Sequence, residues 1–266
     1  MDILLALKAV IMGLVEGATE FLPISSTGHL IIAGDLIDFM SKEKRDVFEI
    51  IIQLGAILAV CWEYRYRLLG KVTHLSDQAA ARGFFINLGL AFFPAAFVGL
   101  LFHKQIKAYL FSPFTVACAL IIGGVAILLI EKYLEHGETT SVEAMTPGQA
   151  FKIGLAQTLS LIPGVSRAGA TILGGIAAGL NRHAATEFSF FLAIPIMFAA
   201  SGFDLLKSYQ FLDIHDVPVF IIGFVTAFIS ALLVIRILIR FVANHDFTVF
   251  AWYRIIFGLA VLAYYW

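Results

Sequence analysis

The residues best suited to chemistry lie in two short polar stretches of a largely apolar chain. The first stretch carries Glu16 and Glu20, followed by the run Ser25-Ser26-Thr27-Gly28-His29. Two carboxylates four positions apart share one helix face and repel each other unless a cation or a shared proton relieves them. Glu16 and Glu20 can therefore hold a divalent metal through oxygen ligands, or one of them can act as an acid or base.

The serine run offers hydroxyls, a flexible glycine and an imidazole within five residues. If a helix begins here, its N-terminus supplies free backbone N–H groups and a positive dipole end, and such an end binds phosphate. A serine beside a histidine can be activated as a nucleophile, and a histidine can itself attack phosphorus. A polar turn that merely caps a helix is the competing interpretation. Ser26 and His29 are thus both candidate nucleophiles.

The second polar stretch, Pro163 to Thr171, supplies a positive charge between two apolar segments. Its Arg167 can bind a phosphate with two parallel hydrogen bonds and keeps its charge. An ion pair with Glu49 or Glu187 is the alternative role for this guanidinium. The neighbouring hydroxyls of Ser166 and Thr171 either contact the same ligand or satisfy the backbone.

Composition excludes an ordinary soluble enzyme. Hydrophobic residues make up 60% of the 266 positions and charged residues only 14%, against about 25% charged residues in typical soluble domains. The mean hydropathy is +0.91. The 18 basic and 19 acidic residues nearly cancel, so we expect no nucleic-acid partner. Both cysteines lie in apolar runs and read as buried hydrophobes. The chain is predicted to be an all-α, polytopic membrane protein.

Six apolar runs approach the length of roughly 20 residues that a transmembrane helix needs. They are Phe48–Trp62, Phe84–Phe102, Phe114–Ile130, Ala185–Phe203, Val217–Ile235 and Phe247–Trp266. Two further segments, Ile3–Ala33 and Gln149–Leu180, are interrupted near their middle by the polar stretches. Broken backbone at membrane depth survives only when it is buried in protein or lines a wet cavity. We therefore predict two re-entrant helix–loop–helix hairpins.

The two interrupted segments resemble each other, which favours an internal duplication within one integral membrane domain, 1–266. Pro23 and Pro163 lie 140 positions apart, as do Ser26 and Ser166. The predicted repeats cover about 1–130 and 149–266. Tracing the loops places the first hairpin on the outer side and the second on the cytoplasmic side, as in inverted-repeat transporters. The cytoplasmic loops then carry eight basic residues against six outside, a weak positive-inside bias.

Both motifs resemble a known family. Glu16-Gly17-Ala18-Thr19-Glu20-Phe21-Leu22-Pro23-Ile24-Ser25-Ser26-Thr27-Gly28-His29-Leu30 resembles the glutamate-rich signature of the bacterial undecaprenyl-diphosphate phosphatases, also called bacitracin-resistance proteins. Pro163-Gly164-Val165-Ser166-Arg167-Ala168-Gly169-Ala170-Thr171 resembles their second motif. The resemblance implies hydrolysis of undecaprenyl diphosphate to undecaprenyl phosphate and inorganic phosphate. This reaction recycles the lipid carrier of peptidoglycan and other envelope polymers and confers bacitracin resistance.

The resemblance also implies residue roles. Ser26 or His29 attacks the terminal phosphorus, and in the first case His29 serves as the base. Arg167 stabilises the charged oxygens, and Glu16 and Glu20 bind a divalent cation (Mg²⁺ or Ca²⁺) or manage protons. The implied phosphate contacts are Ser25, Thr27, Ser166 and Thr171. Ala168 departs from the family pattern, which often has serine there. No organic cofactor is implied.

The same resemblance implies a multi-pass protein of the bacterial plasma (inner) membrane whose active site opens to the periplasmic or outer side. Its expected partners are the lipid diphosphate substrate and membrane lipids. A homodimer is an alternative to the monomer that the resemblance leaves open. The alternative function is an isoprenoid-phosphate flippase, because inverted repeats with broken helices are a transporter device. The candidate nucleophiles favour the enzyme, since transport needs no attacking group.

Overall fold

The computed structural model describes residues 2–110, 112–134, 137–211 and 213–265, which are almost entirely helical. The α-helices are α1 (Ile3–Thr19), α2 (Ser26–Leu36), α3 (Lys42–Glu63), α4 (Arg65–Thr73), α5 (Ala79–Leu110), α6 (Pro113–Tyr133), α7 (Pro147–Gln157), α8 (Arg167–Ala177), α9 (Arg182–Ser208), α10 (Val217–Val242) and α11 (Thr248–Tyr265). Short 3₁₀ turns lie at Val142–Ala144, Thr158–Leu161, Tyr209–Phe211 and Ile214–Asp216. The prediction of an all-α protein is confirmed.

Within those ranges, five helices are long and apolar enough to cross a membrane, and α3 with α4 forms a sixth candidate bent by 69°. The five are α5, α6, α9, α10 and α11. Each predicted span falls on one of these helices or on α3; only Trp266, the end of the last span, lies outside the described residues. Many large apolar side chains on these helices are exposed at the molecular surface, as lipid-facing residues must be. The chain is a multi-pass membrane protein.

The first interrupted segment is a hairpin made of α1 and α2. The helices have 17 and 11 residues, about 25 and 17 Å at 1.5 Å per residue, so neither spans a core about 30 Å thick. The Lys8 Nζ of α1 donates to the carbonyl of Asp38, just past α2, at 2.9 Å. This bond brings the two open ends of the hairpin together.

The second interrupted segment is a hairpin made of α7 and α8, each 11 residues long. Thr146 and Gln149 form a capping box that fixes the start of α7. The Gln149 Nε2 also donates to the carbonyl of Ala178, just past α8, at 3.1 Å, and to Thr139 Oγ1 at 3.0 Å. The open ends of this hairpin are therefore pinned to each other and to the preceding loop.

The two hairpins enter the bundle from opposite ends, as α11 shows. The hydroxyl of Tyr265, the last residue of α11, donates to Asp35 Oδ2 at the open end of the first hairpin, at 2.7 Å. The backbone N–H of Phe247, just before α11, donates to Glu131 Oε1 at 3.0 Å, and Glu131 also pairs with Arg182, which follows the second hairpin. The 18 residues of α11 separate these ends by about 27 Å. A common origin of the two halves stays a prediction.

Candidate active site

The breaks of the two hairpins meet in the middle of the bundle. Arg167 Nη2 lies 3.0 Å from Glu20 Oε1, and the two side chains are 12% and 6% exposed. Ser166 Oγ donates to the carbonyl of Leu22 at 3.4 Å. Glu187, one alternative partner considered for Arg167, is bound instead by Arg67. The structure thus joins the acidic motif to the arginine motif.

Both breaks end in a strained serine cap. Ser25 and Ser166 have φ values of 70° and 76°, in a region that costs residues with a side chain about 1–3 kcal/mol. Each hydroxyl accepts the backbone N–H three residues on, from Gly28 at 3.5 Å and from Gly169 at 3.0 Å. Two helix N-termini, with their unpaired N–H groups and positive dipole ends, therefore begin beside the Glu20–Arg167 pair.

The caps correct the register that the sequence spacing indicated. The 140-residue offset matched Ser26 with Ser166, whereas the structure gives the same cap role to Ser25 and Ser166. The structural counterpart of Ser26 is Arg167, because each is the first residue of its helix. Gly164, with φ of 94°, accommodates the extra residue in the second break.

Arg254 from α11 ties the two breaks to each other and to α6. Its side chain is buried, with 1% of the residue exposed. Among the described residues its guanidinium donates only to backbone carbonyls, at 2.9–3.2 Å. The acceptors are Pro23, Ala119, Leu120, Gly164 and Val165. This arginine lies inside the predicted span Phe247–Trp266, and the sequence alone assigns it no role. The available signal was a lone charge inside an apolar span, which is costly unless it has partners.

Glu20 bridges the Ser26 hydroxyl and the Arg167 guanidinium. The Ser26 hydroxyl donates to Glu20 Oε2, while Glu20 Oε1 accepts from Arg167. A carboxylate that already accepts the hydroxyl hydrogen is placed to take that proton as the oxygen attacks. The geometry therefore joins the Ser26 hydroxyl to a carboxylate that is able to accept its proton.

Arg167 is oriented by α9 and keeps one donor free. Its Nη1 donates to the Ser189 carbonyl at 3.1 Å and hydroxyl at 3.3 Å, and Ser189 Oγ lies 2.6 Å from Thr171 Oγ1. Its Nε is buried without a hydrogen-bond partner among the described residues. Leaving such a donor unsatisfied costs about 1–3 kcal/mol, more for a charged group, and an anionic ligand would remove that cost.

His29 lies apart from this arrangement. Its Nδ1 is 2.7 Å from the Ser25 carbonyl and its Nε2 is 2.6 Å from the Tyr253 hydroxyl. The ring stacks on Phe257, with centroids 4.2 Å apart. No hydrogen bond joins His29 to Ser26 in the described part of the chain, so the structure does not pair these two residues as nucleophile and base.

The acidic pair leaves one carboxylate oxygen, Glu16 Oε1, to which a cation arriving with a phosphate ligand could bind. Glu16 is 1% exposed, and its Oε1 is buried without a partner among the described residues. Carboxylate oxygens suit Mg²⁺ and Ca²⁺, and Mg²⁺ is often held by one or two carboxylates together with phosphate oxygens. In residues 2–110, 112–134, 137–211 and 213–265, no group of three or more His, Cys, Asp or Glu is arranged to hold a metal by itself.

The predicted phosphate contacts occupy the turns around this centre. The hydroxyls of Ser25 and Ser166 cap their helices, and buried Thr171 donates to the Arg167 carbonyl at 2.9 Å. Thr27 lies in the first turn of α2 and is partly exposed. As direct contacts to a ligand, all four stay predictions.

The chain is similar to a large set of known proteins. A family model described as bacitracin resistance protein BacA matches residues 9–260. The undecaprenyl-diphosphatase of Methylobacillus flagellatus is 59% identical, with 100% of both chains covered. That of Laribacter hongkongensis is 56% identical, covering 100% of this chain and 97% of the relative. That of Neisseria meningitidis is 53% identical, covering 98% and 96%.

Proposed function

The chain belongs to the family of the bacitracin resistance protein BacA, and from this membership we infer that it is an undecaprenyl-diphosphatase. It hydrolyses undecaprenyl diphosphate to undecaprenyl phosphate and inorganic phosphate, the reaction named for relatives 53–59% identical to it. This reaction returns the lipid carrier to the synthesis of peptidoglycan and other envelope polymers. Resistance to bacitracin is implied by the family name.

We propose Ser26 as the nucleophile, and the bridging position of Glu20 is the observation that supports this choice. The Ser26 hydroxyl is the first side chain of a helix N-terminus, where developing negative charge on a phosphoryl group is favoured. Its hydrogen points at Glu20 Oε2. Both His29 ring nitrogens are engaged by Ser25 and Tyr253, so attack by His29 would first have to break one of these bonds.

The proposed reaction has two balanced steps. Ser26 Oγ bonds to the terminal phosphorus, its proton passes to Glu20, and the bond from that phosphorus to the bridging oxygen breaks, releasing undecaprenyl phosphate. Water then attacks the phosphoserine, the Oγ–P bond breaks, and the Glu20 proton returns to Ser26 Oγ as inorganic phosphate leaves. In the first displacement Glu20 acts as the general base for the attacking Ser26 oxygen. In the second it acts as the general acid for the leaving Ser26 oxygen, and both hydrogens of the attacking water leave on the inorganic phosphate.

Arg167 is proposed to bind the terminal phosphoryl oxygens. Its free Nε would supply one contact, and Nη2 would supply a second when it releases the Met197 sulfur, which lies 3.6 Å away; together they make a two-pronged contact. Ser189 fixes the guanidinium plane through Nη1, so the group needs little reorganisation when charge develops. Such preorganised donors are worth about 2.7–4 kcal/mol each in acyl-transfer enzymes.

Glu16 and Glu20 are proposed to hold a divalent cation together with the diphosphate. When bound, the cation would neutralise negative charge on the phosphate oxygens. The buried, unpartnered Glu16 Oε1 supports this role, since a buried carboxylate needs a cation or a proton. Activity that falls with a chelator and returns with Mg²⁺ or Ca²⁺ is the expected result, and chelator-insensitive turnover would remove the cation from the proposal.

We propose that the protein lies in the bacterial plasma membrane with its site reached from the outer side. The bundle end that includes Glu131 and Arg182 belongs to the loops with eight basic residues, and the opposite end belongs to those with six. Basic residues favour the cytoplasmic side. The hairpin bearing Glu20 and Ser26 opens at the other end, where Asp35 binds Tyr265. The diphosphate carrier released by polymer assembly would be met there.

The test is phosphate release from undecaprenyl diphosphate by purified protein in detergent. Ser26→Ala should abolish it, while Ser76→Ala, at an exposed loop serine, should leave it unchanged. Brief reaction with substrate labelled in the terminal phosphate should label wild-type protein at Ser26. Wild-type-like turnover in Ser26→Ala would overturn the assignment. Binding without phosphate release by the wild type would instead favour the flippase alternative.

A further inference from the structure

Tyr253 of α11 contacts the site through His29, although nothing in the sequence patterns marks it. Its hydroxyl lies 2.6 Å from His29 Nε2, and the two rings are nearly parallel, with an interplanar angle of 7° and centroids 5.6 Å apart. The ring of Phe257 also stacks on the His29 imidazole, with ring centroids 4.2 Å apart. The imidazole is thus held both by its edge and by its faces.

The hydrogen-bond partners fix which nitrogen of His29 carries the proton. The Ser25 carbonyl can only accept, so the Nδ1 at 2.7 Å from it must be the N–H donor. In the neutral ring the Nε2 is then an acceptor, and the Tyr253 hydroxyl donates to it. Tyr253 therefore selects one tautomer and one ring orientation.

The hydrogen bonds that run from Tyr253 through His29 end at the strained turn of Ser25. Ser25 has a φ of 70°, and residues in this region hold their conformation only when their surroundings over-determine it. The bond from His29 to the Ser25 carbonyl is one such constraint, and the Ser25 cap bond to Gly28 is another. The next residue along the chain is Ser26, whose direction is set by the same turn.

We propose that Tyr253 is a positioning residue that acts through His29 to hold the Ser25 turn, and thereby aims the Ser26 hydroxyl at Glu20. The inference deepens the proposed function and rests on Ser26 as the nucleophile. The Tyr253 ring is 43% exposed, so its burial alone contributes modestly to the fold. The specific contribution is the O–H bond to Nε2.

The first experiment compares Tyr253→Phe with Tyr264→Phe. Tyr264 lies about three turns further along α11 and is 58% exposed, so it is a matched control that should keep wild-type turnover. Tyr253→Phe keeps the ring and loses only the hydroxyl. We expect kcat to fall about tenfold to a hundredfold with KM nearly unchanged, since a small misplacement of reacting groups has effects of this size. Wild-type kcat in Tyr253→Phe would overturn the proposal.

The second experiment uses a double-mutant cycle with His29→Asn. If Tyr253 acts through His29, adding Tyr253→Phe to His29→Asn should cause no further loss of kcat, because the connection is already cut. Full, multiplicative losses in the double variant would show that Tyr253 acts by another route and would contradict the proposal. Absence of phosphate labelling at Ser26 in the wild-type protein would instead contradict the proposed function itself.

The third measurement needs no variant of Tyr253 to fold. Nitrogen-15 spectra of histidine-labelled wild-type protein, with His29 assigned by its absence in His29→Asn, report which ring nitrogen is protonated. We expect a protonated Nδ1 and a hydrogen-bonded, unprotonated Nε2. A His29 with its proton on Nε2, or one averaging between tautomers, would overturn the inference.

Discussion

Glu20 Oε1 and Arg167 Nη2 lie 3.0 Å apart, although their hairpins enter the bundle from opposite ends. The carboxylate also accepts a hydrogen bond from the Ser26 hydroxyl, so the Ser26 hydroxyl, the Glu20 carboxylate and the Arg167 guanidinium form one continuous line of contacts across the two breaks. Neither hairpin contains this line alone. The site is therefore a product of how the two interrupted segments are docked.

The Arg167→Lys substitution should lower kcat/KM by about a hundredfold or more, as losing one charge-stabilising donor does elsewhere. Lysine keeps the charge and lacks the planar fork that contacts Glu20, Ser189 and the ligand together. The measurement is phosphate release, with Arg82→Lys at an exposed position as the control. Near-wild-type turnover in Arg167→Lys would show that a two-pronged contact is unnecessary.

The Glu20→Gln substitution should lower kcat by about 10²–10⁴-fold, the usual contribution of a positioned base. The amide can occupy the same space but cannot take the Ser26 proton. Burst kinetics with labelled substrate should show loss of the phosphoserine-forming step. Glu138→Gln, at an exposed loop position, serves as the control. An unaltered rate of phosphoserine formation in Glu20→Gln would exclude Glu20 as the base.

The Arg254→Met substitution should destabilise the fold more than any single change at the catalytic residues. It removes the guanidinium hydrogen bonds from five backbone carbonyls, and losing hydrogen bonds to a buried charged group costs about 1.5–3 kcal/mol apiece without strict additivity. Thermal unfolding in detergent should show a marked drop in Tm. An unchanged Tm would mean that the two breaks are held by other contacts.

The Gly17→Ala substitution tests the close packing of α1 on α10. A Cβ at Gly17 would lie 2.5 Å from the Ala227 carbonyl oxygen and 2.6 Å from Ser230 Cβ, so the helices must separate, at a cost of about 1–3 kcal/mol. Gly89→Ala, which meets nothing within 4 Å, should be neutral or stabilising. Equal Tm values for the two variants would contradict the packing.

Acid should weaken the network around Glu143 in the loop before α7. Burial would raise the pKa of Glu143, but hydrogen bonds from Arg67 and Lys71 outweigh it and lower the pKa from 4.5 to about 2. Because the folded-state pKa is depressed, this stabilisation is present above about pH 4.5 and is lost as the pH falls toward 2. The Tm difference between wild type and Glu143→Gln should shrink over that window. A difference independent of pH would rule out the charged network as its source.

Local patterns were enough to predict the membrane-spanning helices and the two interrupted segments of this fold, but not the short helix α4 (Arg65–Thr73). Six apolar runs predicted helices that the structure contains, and the polar interruptions at Pro23 and Pro163 predicted two broken segments. The residue types at Glu20, Ser26 and Arg167 indicated phosphate chemistry before any geometry was known. These inferences succeed because hydropathy and helix breaking depend on residues close together in the chain.

Other features escaped sequence reasoning because their partners are distant in the chain. A tyrosine in an apolar span looks like any other interfacial aromatic, so Tyr253 drew no attention despite its bond to His29, 224 positions away. The matching of Ser26 with Ser166 was one residue out of register, because spacing alone does not show which serine adopts the positive φ of the cap. His29 as the base for Ser26 was one of two alternatives from the sequence, and in the structure the ring nitrogens of His29 instead contact Ser25 and Tyr253.

The sequence by itself determined that this chain is a helical membrane protein with two broken hairpins, and which side chains are equipped for phosphoryl transfer. Only the tertiary structure decided that Glu20 stands between Ser26 and Arg167, and that α11 supports both turns. The physical reason is that hydrophobicity acts residue by residue, whereas hydrogen bonds and ion pairs require atoms from remote segments to meet within about 3 Å.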